Sequence, residues 1–147
     1  MSYVHVKSHT IEHALVAIVL LASACSPPFV SGTLTSVQGA LGSWSFTPTH
    51  CRSGSAREFY GVDLSDGTRN IRLIDDSAKG YVVTVAATGD PAVPTELLTP
   101  LSCGRFAASL SGSTDEQSTG SLDLDCSTPE GGHLQGNVTF ENCGSDF

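Results

Sequence analysis

From Gly42 onward the chain alternates apolar and polar residues in short runs, separated by glycine, serine, aspartate and proline. A period of two predicts strands with one buried face, and the runs fall at 43–46, 58–64, 69–74, 81–87, 105–110, 121–125 and 134–141. Seven such segments predict an all-β fold: a small antiparallel β-sandwich or barrel. Two hairpins follow from residue pairs. If Asp66-Gly67 forms a two-residue turn, Val62 faces Ile71 and Tyr60 faces Leu73. In the last hairpin Leu122, Leu124, Leu134, Val138 and Phe140 are all even-numbered, so an even-to-even register buries them together. Asp123, Asp125, Asn137 and Thr139 then face water, with the turn inside 127–132. Between the hairpins, 89–100 carries three prolines and a brief helical turn over 95–98.

One apolar run does not alternate. Residues 14–24 (ALVAIVLLASA) carry no charge, follow Lys7 and end against Cys25. A membrane span needs about 20 residues, so this run reads as the signal helix and cleavage zone of an export leader. Residues 26–42 contain two prolines and three glycines, the composition of a spacer, although their downstream half also suits a first strand. The expected division is a leader over 1–24, a processed N-terminus and flexible tether over 25–42, and a single β domain over 43–147.

The stretch Leu20-Leu21-Ala22-Ser23-Ala24-Cys25 resembles the lipobox of bacterial lipoproteins. The resemblance implies that Cys25 is acylated with palmitate-type chains and becomes the new N-terminus. It further implies a lipid-anchored protein of the bacterial cell envelope, with its domain in the periplasm or at the cell surface. Ser26 in place of an acidic residue favours the outer membrane where the source has one. Ala22-Ser23-Ala24 also fits ordinary signal cleavage, which would release a soluble secreted product. Cysteine number separates the two readings: five cysteines leave one over after pairing, and acylation of Cys25 removes the odd thiol.

Cys51, Cys103, Cys126 and Cys143 show no zinc-type spacing. In an exported chain they are expected in two disulfides, with three connectivities open. Joining Cys103 to Cys126 as direct cross-strand neighbours sets Phe106 against Asp123 and mixes wet with apolar faces, so that bridge is disfavoured without a bulge.

Downstream of residue 24, acids outnumber bases 14 to 6, and the whole chain carries a net charge of −8. Such a surface repels nucleic acid and argues for solubility. The candidate chemistry is thin. His50 and His133 both sit beside turn signals, and His50 next to Cys51 would suggest a thiol nucleophile only if that cysteine were unbridged. The pairs Asp63/Asp66, Asp75/Asp76, Asp115/Glu116 and Asp123/Asp125 lack the spacing of a calcium loop. Trp44 and Phe46 share one face, core packing being the default and a sugar platform the alternative. No catalytic residue, metal or cofactor is therefore expected. The expected role is structural or accessory, through the membrane and envelope proteins. The alternative is a binding module for a small ligand, glycan or cation, and an exposed Trp44 beside a groove would favour it.

Overall fold

A computed structural model of the chain describes residues 26–54, 59–87, 90, 94–112 and 117–144. Among them lie ten strands: β1 (Phe29–Val37), β2 (Trp44–Phe46), β3 (His50–Ser53), β4 (Gly61–Ser65), β5 (Asn70–Asp76), β6 (Gly80–Ala86), β7 (Glu96–Leu98), β8 (Cys103–Ser111), β9 (Gln117–Thr128) and β10 (Gly132–Gly144). They build two five-stranded sheets, ordered β2-β1-β10-β9-β8 and β3-β4-β5-β6-β7, with every pairing antiparallel. The fold is the all-β sandwich that the alternation predicts.

The last hairpin has the predicted register. Leu122 pairs with Val138 and Leu124 with Gly136, so Leu122, Leu124, Leu134, Val138 and Phe140 all reach zero exposure. Each fully buried leucine contributes roughly 1.5–3 kcal/mol. Leu34 and Phe46 extend this face on β1 and β2. The second sheet answers with Val62, Leu64, Ile71, Leu73, Val83 and Val85, all in the same core.

The hairpin of β4 and β5 corrects the expected register by two residues. Val62 pairs with Leu73 and Leu64 with Ile71, while Tyr60 lies before the ladder and is 37% exposed. The turn is not Asp66-Gly67 but Gly67-Thr68, held by Asp66, whose Oδ1 accepts the amides of Thr68 (2.8 Å) and Arg69 (2.6 Å). Because the shift is even, the buried face survives. Gly67 takes φ +87°, a conformation that costs an L-residue roughly 1–2 kcal/mol. Gly67→Val is therefore expected to lower stability by about that amount, read as a lower urea midpoint; an unchanged midpoint would rule out this turn.

Two strands, β3 and β7, lie outside the expected segments, and a third, β1, falls in the expected tether, of which only the downstream half suits a strand by sequence. β1 occupies the segment expected as tether and pairs along its whole length with β10, from Phe29 opposite Glu141 to Val37 opposite His133. The sandwich therefore includes Phe29–Val37, upstream of the expected start at residue 43. The small hydroxyl residues that resemble a spacer are instead the outward side of a strand whose Leu34 and Ser36 point inward. β3 is short and pairs with β4 alone. β7 replaces the expected helical turn: Leu98 pairs with Val83 and is 1% exposed. The free edge of β6 offers backbone partners that one helical turn lacks, and a 3-10 turn forms only afterwards, at Pro100–Ser102.

The second sheet departs from simple alternation, because Asp63, Asn70, Val82 and Ala86 on its outward side are also buried. Phe59 lies over part of that side. A Cβ on Gly61 would come within 2.8 Å of its ring, so the missing side chain makes room for the aromatic. The Arg72 guanidinium stacks 4.2 Å from the Phe59 centroid and holds Asp63 through two bonds of 2.7 and 3.0 Å.

Candidate functional site

The segment expected to be a leader, 1–24, and Cys25 lie outside the described residues, so the description begins at Ser26. Ser26, Pro27 and Pro28 are exposed and carry no regular structure, and the first strand starts directly at Phe29, which is 54% exposed. At this end of the sandwich β1 begins and β10 finishes. Tyr60 lies here too, its hydroxyl donating to the Gly112 carbonyl at 3.3 Å. Among the described residues no helix is long and apolar enough to cross a membrane.

The four downstream cysteines form two bridges, Cys51–Cys143 and Cys103–Cys126. The first ties β3 of one sheet to β10 of the other. Beside it the buried Ser118 hydroxyl donates to that of Ser53 at 3.3 Å, a second polar link between the sheets. This link was legible only in part: Ser118 belongs to the even-numbered inner series of β9, but nothing local announced its partner. The second bridge meets the sequence objection through a bulge. The register shifts between Cys103 and Arg105, after which Phe106 pairs with Leu124 and Ala108 with Leu122, so wet and apolar faces stay separate.

Trp44 is half-buried rather than an open platform. Its Nε1 donates to the Leu41 carbonyl at 2.8 Å, and the Arg69 guanidinium covers the ring at 5.1 Å. Phe46 is fully buried. Arg69, from the β4–β5 turn, thus closes the sandwich at the end opposite Phe29, a contact with no signal in the sequence.

His50 and His133 lie on different sheets, on β3 and β10. His50 Nδ1 shares a 2.8 Å hydrogen bond with the Thr49 hydroxyl. His133 Nε2 meets Asp125 Oδ1 at 3.0 Å, both about two-fifths exposed on the outward face of the first sheet. Ser127 stands opposite His133 in the ladder, but among the described residues no hydrogen bond joins them. A histidine–carboxylate pair alone, without a bonded nucleophile, is not a hydrolytic triad.

The carboxylates are dispersed onto separate tasks. Asp63 binds Arg72, Asp66 caps its turn, and Asp123 holds Arg105 at 2.9 Å on the surface. Asp115 and Glu116 lie outside the described residues. Among the described residues no three histidine, cysteine or acidic side chains gather in a metal-holding group. Asp76 Oδ1 accepts the amides of Ala78 (2.8 Å) and Lys79 (3.0 Å) in the β5–β6 turn.

The Ala78 amide, seconded by that of Lys79, holds the Asp76 carboxyl below the usual aspartate value of 3.8. A depressed folded pKa contributes stability above the unfolded value and loses it as pH falls through the folded one. The Ala78 and Lys79 amide NMR shifts are therefore expected to move together with a midpoint below 3.8, and a midpoint at or above it would contradict the cap. No family model, no curated protein and no solved structure matches this chain, so its site is read from its own geometry.

Proposed function

We propose that the protein is a lipoprotein of the bacterial cell envelope, anchored by acyl chains on Cys25, whose β-sandwich serves as a non-catalytic structural or accessory partner of other envelope proteins. The observation that carries this reading is the state of the cysteines. Five are present, and the two disulfides use Cys51, Cys103, Cys126 and Cys143. The remaining one is Cys25, the residue that closes the lipobox-like stretch. Disulfides of this kind accord with an oxidising compartment outside the cytoplasm, and two or three acyl chains would hold the protein firmly where one binds only marginally.

The dispersed histidines and carboxylates support a non-catalytic role, and the covered ring of Trp44 weighs against a sugar-binding platform. Leu101, 99% exposed on the Pro100–Ser102 turn, and Leu97, 50% exposed on β7, are apolar contacts available to a protein partner. The domain then sits in the periplasm or at the cell surface, on the outer membrane where one exists.

The test is intact mass with thiol counting on protein taken from membranes of its native host. The expected product starts at Cys25, carries added acyl mass and shows no free thiol. An unprocessed chain, or one with reduced cysteines, would overturn the proposal.

A further inference from the structure

We infer that the end of the sandwich where β1 begins rests on the headgroups of a bilayer without net charge, with Phe29 at the interface, while the end bearing Trp44 and Leu101 faces away. The inference rests on the acylation of Cys25 proposed above. It adds an orientation that the anchor alone does not give.

The argument is one of length. Phe29 is already paired with Glu141 in the ladder, so the folded body starts four residues after the anchored cysteine. Four extended residues span at most about 14 Å. The headgroup layer on one side of a bilayer is itself roughly 5–8 Å thick, which leaves Phe29 less than about 10 Å above it. Pro27 and Pro28 each fix φ and lack an amide hydrogen, so the connection is an extended strut with little freedom to coil. A tether running to residue 42 would have permitted any orientation; a three-residue one does not.

The chemistry of this end fits a neutral interface. Phe29 is 54% exposed although it opens a strand, and Tyr60 presents a second partly exposed ring, at 37%. Aromatic side chains with one apolar body near a wet boundary favour the headgroup level. Among the described residues, Asp75, Asp76 and Glu141 lie at the same end with Lys79, a balance that disfavours an anionic lipid surface and accepts a zwitterionic one.

The molecule carries its own reporter for the far end. Trp44 is the one tryptophan of the chain, and it pairs with Ser36, seven residues along β1 from Phe29, or about 23 Å. The experiment places acylated protein, native and Phe29→Trp, in phosphatidylcholine–phosphatidylethanolamine vesicles containing a headgroup spin-labelled lipid. The emission added by the new tryptophan is expected to fall severalfold with the quencher, and native Trp44 emission to stay nearly constant. Inserting ten glycine and serine residues between Pro28 and position 29 of that variant is expected to restore the lost emission.

Quenching of Trp44 as strongly as of the new tryptophan would mean the sandwich lies flat, and overturns the orientation. So would an added emission indifferent to the quencher. Intact mass of the same preparation separates the two levels. An acylated protein with unquenched Phe29→Trp emission overturns the orientation and leaves the anchor standing, whereas an unmodified Cys25 overturns both.

Discussion

Replacing Cys51 and Cys143 together with alanine is expected to cost about 4 to 5 kcal/mol of stability, against about 3 for the same change at Cys103 and Cys126. The order follows from chain entropy. The first bridge spans 92 residues and the second 23, and the entropic account gives about 4.6 and 3.4 kcal/mol for loops of those lengths. Position in the fold acts in the same direction. Cys103 and Cys126 lie on strands already joined by the β8–β9 ladder, while Cys51–Cys143 crosses between the sheets at one end of the sandwich. Its loss leaves the hydroxyl pair of Ser53 and Ser118 and core contacts to hold that end closed. Since a small domain is stable by only about 5–15 kcal/mol, the first double variant should be the one that fails to survive mild heating. Urea midpoints of the two double variants under the same conditions decide the matter, and equal midpoints, or the reverse order, would refute the assignment.

Asp63→Ala is expected to cost about 3 kcal/mol or more, yet changing Asp63 and Arg72 together to leucine should cost less. The Asp63 side chain is 6% exposed and that of Arg72 16%. Breaking such a pair from one side strands the other charge in a poorly solvated place, at a cost of roughly 3–5 kcal/mol, whereas replacing both removes the desolvation penalty with the attraction. Arg72 would also lose its stacking on Phe59, worth about 0.5–2 kcal/mol, so the double variant does not return fully to native stability. Chemical denaturation of the single and double variants forms the necessary cycle. A double variant less stable than Asp63→Ala would show that the pair stabilises this face beyond its desolvation cost. The surface pair Arg105–Asp123 on β8 and β9, half in water at 55% and 41% exposure, should by contrast contribute less than about 1 kcal/mol by the same measurement.

Local patterning by itself determined the β class, the seven segments that became β2, β4, β5, β6, β8, β9 and β10, and the face of the last hairpin. These are consequences of a period of two over continuous runs, which demands no knowledge of the partner strand. Cysteine number likewise pointed to two bridges. Tertiary structure alone decided the rest. β1 looks like a spacer because its fully buried positions are few, Leu34 and Ser36, and it becomes a strand only because β10 and β2 supply backbone partners on both sides. β7 exists because β6 has an edge to complete. The turn moved by one residue and the register by two because Asp66 caps the amides of Thr68 and Arg69, a side-chain preference that alternation does not register. The bulge that permits Cys103–Cys126, the burial of Asp63 under Arg72 and Phe59, and the cover of Arg69 over Trp44 all join residues of different turns or strands. Their physical causes are long-range pairing and packing, which a linear pattern carries only in part. The same cause leaves only residues 26–28 of the described part of the expected tether ahead of β1.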